Sequence, residues 1–139
     1  MIEGVAYARA GLLGNPSDNC FGKIVAVSVR DFSARVTLEK SDRLAILSAA
    51  DDTDDYASYA EFVERTRLYG YEGGTRLLKA LLRVFWDYCR ERNVGIPSQN
   101  FTLRYASAIP RQVGLGGSSA LITAGLRALT AFGGGRIPL

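Results

Sequence analysis

Apolar and polar positions along this chain follow two different periods, and together they predict an alternation of strands and helices. In the stretch Ser33 to Glu39, Ala34, Val36 and Leu38 share one side while Arg35, Thr37 and Glu39 take the other, a half-buried strand. Asn100 to Ala108 repeats the pattern, with Phe101, Leu103 and Tyr105 set against Thr102 and Arg104. Val5 to Leu13 is more uniformly apolar and reads as a buried first strand, closed by the turn formers Gly14-Asn15-Pro16-Ser17-Asp18-Asn19. Lys23 to Val29 is expected to pair with Ser33 to Glu39 as a hairpin around Arg30-Asp31-Phe32, and Leu44 to Leu47 to add a short strand.

The helical period is clearest over Thr75 to Arg92. Leu77, Leu78, Leu81, Phe85, Tyr88 and Cys89 form one stripe, with Arg76, Lys79, Arg83, Asp87 and Arg90 on a solvated face. A shorter helix is predicted over Tyr59 to Leu68. A last one runs from about Ser118 to Ala131, turning Leu121, Ile122, Gly125, Leu126 and Leu129 inward. Asp51-Asp52-Thr53-Asp54-Asp55 gathers carboxylates of the kind that metals use, but it reads as a solvated loop before a helix. No internal repeat or long linker interrupts the chain, and 139 residues suffice for one domain with a true core.

Composition changes this picture mainly by exclusion. The chain has no histidine, which removes Ser-His-Asp and Cys-His catalysis and every His-ligated metal site. Cys20 and Cys89 lie far apart and form no CxxC pair, so neither zinc nor a disulfide framework is expected. That usage fits a reducing, cytoplasmic setting. A net charge of +3 is too mild and too dispersed to point to nucleic acid. No run reaches the roughly 18 apolar residues of a membrane span, and Met1-Ile2-Glu3-Gly4 does not begin a secretory signal.

The chemistry concentrates in Pro110-Arg111-Gln112-Val113-Gly114-Leu115-Gly116-Gly117-Ser118-Ser119-Ala120, between a strand and a helix. Glycines let backbone approach a phosphate closely, and the first N–H groups of a helix have no partner within it. Ser118 and Ser119 add hydroxyls able to bind phosphate oxygen or magnesium; the alternative is a glycine turn with a serine cap. A Walker loop is excluded by the missing lysine. A dinucleotide fingerprint is excluded because Ser119 occupies the third glycine position and no Asp or Glu follows Glu91. A nucleophile elbow has no histidine to complete it.

This segment resembles the second motif of the GHMP kinases, in which a proline, a short spacer and Gly-Leu-Gly/Ser-Ser-Ser-Ala open a helix. Arg9-Ala10-Gly11-Leu12-Leu13-Gly14-Asn15-Pro16-Ser17-Asp18 independently resembles the first motif. Tyr7 to Asp18, Gly70-Tyr71-Glu72-Gly73-Gly74-Thr75-Arg76-Leu77-Leu78 and Ile109-Pro110-Arg111-Gln112 are similar in wording to the plant-type glucuronokinase branch.

The resemblance implies an α+β fold, a mostly antiparallel sheet with helices packed on one face, as in the N-terminal domain of that family. It implies an ATP- and magnesium-dependent kinase that phosphorylates D-glucuronate to glucuronate 1-phosphate for UDP-sugar synthesis. Pro110 to Ala120 would wrap the ATP phosphates, with Ser118 contacting phosphate and magnesium. Arg9 would stabilise the transferred phosphoryl group, and Asn15 and Asp18 would hold the sugar. The family places its catalytic aspartate after the second motif, where this sequence carries no acid. The expectation is therefore that residues 1–139 form the ATP-binding N-terminal domain without the C-terminal lobe, and are inactive alone. A non-catalytic nucleotide- or anion-binding module is the alternative.

Overall fold

A computed structural model of the chain describes residues 1–14, 17–47, 53–71, 73–94 and 97–134, without the side chains of Asp18 and Thr53. Five strands are described: β1 (Ile2–Leu13), β2 (Val25–Lys40), β3 (Leu44–Leu47), β4 (Thr53–Tyr56) and β5 (Phe101–Ser107). Three helices accompany them, α1 (Tyr59–Tyr69), α2 (Arg76–Arg92) and α3 (Gly117–Phe132), with one 3-10 turn at Ser17–Cys20. The sheet order is β1-β2-β5-β3-β4. Neighbours run antiparallel except β3 and β5, which are parallel. The sheet is thus mixed, because β3 reaches β5 by a long crossover containing β4, α1 and α2.

The alternating positions do what their pattern predicts. Ala6, Ala8, Ala34, Val36, Leu38, Leu44, Ile46, Phe101 and Leu103 all point to one face and are buried there. The helices cover that face with Phe62, Leu78, Leu82, Phe85, Ala124 and Leu129. Aromatic side chains fill the far end. Tyr59 packs edge-on to Phe101 at 5.7 Å between centroids and donates its hydroxyl to the Leu82 carbonyl at 2.7 Å. Burial pushes the Tyr59 phenol well above its ordinary range.

Four expectations are corrected. Arg30-Asp31-Phe32 is not a hairpin turn. Residues on both sides of it pair with β1, Tyr7 opposite Ser33 and Ala8 opposite Val29, so the three residues bulge from one continuous strand. The triplet has no Gly, Asn or Pro to reverse the chain, and β1 is long enough to template both halves. The distal part of β1 is also not buried: Leu12 and Leu13 are exposed, as are Val25 and Val27 beside them.

The third correction concerns α3, which does not turn Ile122 and Leu126 inward; both are exposed. It buries Ala120, Ala124, Gly125 and Ala128, small residues that let it lie against β1. Gly4 sits at that crossing, where an added Cβ would stand 2.0 Å from the Ala124 carbonyl oxygen. The sequence favoured the larger residues as the inward face, but close approach selects the smaller ones.

The fourth concerns charge. Lys79 is buried, and its Nζ lies 2.8 Å from Asp54 Oδ1, while Thr75 donates to Asp54 Oδ2 at 2.6 Å. The acidic run is partly a strand, with Asp55 held by Arg43 at 2.9 Å. Asp51 and Asp52 lie outside the described residues. No cluster able to hold a metal occurs among the described residues.

Cys89 is buried as expected. Burial raises its thiol pKa, which suits a core residue and not a nucleophile. No described helix is long and apolar enough to cross a membrane.

Candidate functional site

The glycine loop is fixed from both sides. Upstream, Ile109 is buried and supports Gly117, whose added Cβ would meet the Ile109 side chain at 3.5 Å. Pro110, Arg111, Gln112 and Val113 are exposed in the turn that follows β5, with Gln112 in the left-handed region at φ 61°. Gly114 has φ +77°, and nothing lies within 4 Å of where its Cβ would be. Glycine is needed there for the backbone conformation, and the open space beside it gives a ligand direct access to the main chain.

Helix α3 starts at Gly117, one residue before the expected Ser118. Its cap is Gly116, at φ 65°, with no side-chain cap hydrogen bond. The serine-cap alternative is thereby removed: the Ser118 and Ser119 hydroxyls are not spent on the helix end. The first hydrogen bond of the helix runs from Ala120 N–H to the Gly116 carbonyl at 3.0 Å, so the earlier N–H groups in this first turn have no intrahelical acceptor.

The first motif meets this loop directly. Arg9 donates its backbone N–H to the Leu115 carbonyl at 3.0 Å. Gly116 is so close to Arg9 that an added Cβ would touch its Cβ and its carbonyl oxygen, both at 3.8 Å. Between them opens a concavity of about 550 Å³ that includes Tyr7, Arg9, Ser28, Gly116, Ser119 and Thr123. Ser119, rather than Ser118, is the loop serine that lines it, although both are exposed at the start of the helix. Asn15 lies outside the described residues, and Asp18 is placed by its backbone alone, in the 3-10 turn after β1.

Arg127 also lines the concavity, and sequence reasoning missed it. Its Nη1 donates to the Val5 carbonyl on the free edge of β1. The signal was present in the spacing: Ser119, Thr123 and Arg127 recur every four residues and so share one helix face.

The site is thus a glycine loop at a helix start, tied to the first strand of a mixed sheet. Residues 77–139 match the family description GHMP kinases N terminal domain, and the chain resembles the GHMP kinase superfamily. The chain is 42% identical over 132 residues to Glucuronokinase 1 of Arabidopsis thaliana, covering 94% of this chain and 36% of that protein. It is likewise 42% identical over 133 residues to Probable glucuronokinase 2 of the same plant, covering 95% and 36%. The chain therefore spans about a third of the length of these curated relatives.

Solved structures share the fold. A mevalonate kinase superposes with a TM-score of 0.79 at 15% identity, over 99% of this chain and 42% of that one. A D-glycero-D-manno-heptose 1-phosphate kinase from Bacteriodes thetaiotaomicron gives 0.69 at 21% identity, over 94% and 41%.

Proposed function

We propose that this chain is the ATP-binding, N-terminal domain of a sugar kinase of glucuronokinase type, transferring the terminal phosphoryl group of ATP to the anomeric hydroxyl of D-glucuronate. The observation that carries the reading is the Arg9 to Leu115 hydrogen bond, which joins two motifs from opposite ends of the chain at one concavity. The curated relatives supply the sugar by their names.

The residues fit a nucleotide. Gly114 and Gly116 offer main chain with no side chain in the way, and the free N–H groups at the start of α3 favour phosphate oxygens. Pro110 to Val113 form the approach to that cradle. Magnesium would be held by the nucleotide's own oxygens and the Ser118 hydroxyl, and would neutralise phosphate charge. Arg9, permanently charged, would stabilise the negative charge that develops on the transferred group. Asn15 and Asp18 are assigned to the sugar. The acid that takes the hydroxyl proton is expected outside these residues, since none follows Glu91. The free thiols of Cys20 and Cys89 support a cytoplasmic setting.

The test is Mg-ATP binding by calorimetry, together with ADP release in the presence of D-glucuronate. This chain alone should bind Mg-ATP without turning it over. Arg9→Ala should spare that affinity while weakening sugar binding, and Ser118→Ala should lower Mg-ATP affinity severalfold without loss of fold. A wild-type chain with no measurable affinity for Mg-ATP would end the kinase reading.

A further inference from the structure

The concavity beside the glycine loop holds two arginines and no acid. Arg9 and Arg127 both line it, neither forms an ion pair among the described residues, and no carboxylate is part of its wall. Ser28, Ser119 and Thr123 line it as well, and their hydroxyls form no side-chain hydrogen bond among the described residues. By contrast Thr130, farther along the same helix, donates to the Leu126 carbonyl. Such a wall suits a ligand bearing more than one negative charge and several hydroxyl groups.

The two arginines stand at opposite ends of this wall. Arg127 follows Ser119 by two helical turns, about 12 Å along the α3 axis. Its guanidinium is anchored at Val5, four residues before Arg9, which is about 13 Å along β1. Helix and strand thus give the same length. A phosphoryl group held at the glycine loop would lie at the Arg9 end, about 12–13 Å along the backbone from the anchor of Arg127. The Val5 carbonyl takes one nitrogen of Arg127 and fixes the plane of the fork. The remaining N–H groups are left to donate to the two oxygens of a carboxylate.

We propose that Arg127 holds the carboxylate of a sugar acid and so selects sugar acids over neutral sugars. This inference rests on the sugar-kinase reading, and assigns within that site a residue that decides specificity. An anion at Arg127 has two possible sources, the substrate's carboxylate or a phosphate of the nucleotide. The distance from the glycine loop favours the carboxylate.

The experiment compares binding of D-glucuronate, D-glucose and Mg-ATP to the wild-type chain, Arg127→Gln and Arg127→Lys, by ligand-observed NMR and calorimetry. Glutamine keeps a donor for the Val5 carbonyl, so thermal unfolding should show both variants folded. The wild type should prefer D-glucuronate to D-glucose by at least tenfold. R127Q should lose that preference, R127K should recover part of it, and Mg-ATP affinity should not change.

Retention of the preference in R127Q would overturn the assignment, as would a wild type that does not distinguish the two sugars or binds neither while still taking Mg-ATP. A fall in Mg-ATP affinity in R127Q, with the sugar preference intact, would move Arg127 to the nucleotide. Failure of the wild type to bind either Mg-ATP or D-glucuronate would instead remove the kinase reading on which the inference stands.

Discussion

Gly4→Ala is the smallest change that tests how α3 is seated. The new Cβ would lie 2.0 Å from the Ala124 carbonyl oxygen and 2.8 Å from the Ala128 nitrogen. Both are main-chain atoms of a packed helix, so no side chain can rotate away. Restoring an ordinary contact of 3.4 Å requires the helix or the strand to retreat by about 1.4 Å, the difference between the two distances. Overpacking of this kind costs about 1–3 kcal/mol. A retreat of that size also loosens the bonds from Arg9 to Leu115 and from Arg127 to Val5, adding about 1 kcal/mol for each one lost.

With one of these two bonds lost, the expected destabilisation by Gly4→Ala is about 2–4 kcal/mol, seen as a fall in Tm of roughly 6–15 °C. Urea denaturation measures it directly, and Mg-ATP affinity should fall with it because the glycine loop moves with its helix. Gly74→Ala is the control: nothing lies within 4 Å of its added Cβ and its φ is not in the left-handed region, so it should change stability by less than about 0.5 kcal/mol. If Gly4→Ala were as stable as the control, the close seating of α3 on β1 would be wrong.

Three further outcomes follow from the packing and the glycine loop. Lys79→Met should cost about 1–3 kcal/mol by leaving Asp54 without its ammonium partner, and the double variant with Asp54→Asn should cost less than the two singles together; simple additivity in urea melts would deny the coupling. Tyr59 stays neutral in the fold well beyond the ordinary tyrosine range, so stability is present below that range and declines as pH rises through it; Tyr59→Phe should flatten this alkaline decline, and parallel curves would assign it elsewhere. Ser119→Ala, compared with Ser118→Ala, separates the serine that lines the concavity from the one that does not: the first should affect sugar binding more and the second Mg-ATP, and a reversed order would exchange their assignments.

What was legible in the sequence depended on local pattern. Ala34, Val36 and Leu38 revealed their strand because one face is buried and the other is not, and Gly114 to Ala120 revealed the loop because its chemistry is contiguous. What stayed hidden depended on contacts between distant segments. Nothing near Arg30 shows that β1 will pair with both halves of β2. Nothing near Lys79 shows that Asp54 will face it across the fold. Ile122 and Leu126 looked like core because size is the usual guide to burial. Only the partner surface, with Gly4 at its centre, shows that Ala120, Ala124 and Ala128 win that place. Arg127 was overlooked for the same reason, since its role depends on a carbonyl of the first strand.

The bond between Arg9 and Leu115 also bears on how the molecule comes together. It closes a loop that takes in most of the chain, and ordering so much chain before any return contact forms is slow. The β1–β2 pair can form early from local sequence, but its outer edge has no cover until α3 arrives. During synthesis that edge is open to other chains, and the phosphate cradle does not exist. The amide of Arg9 should then be a reporter in hydrogen exchange: protected only when first strand and last helix have met, and exchanging more slowly once a ligand spans the two.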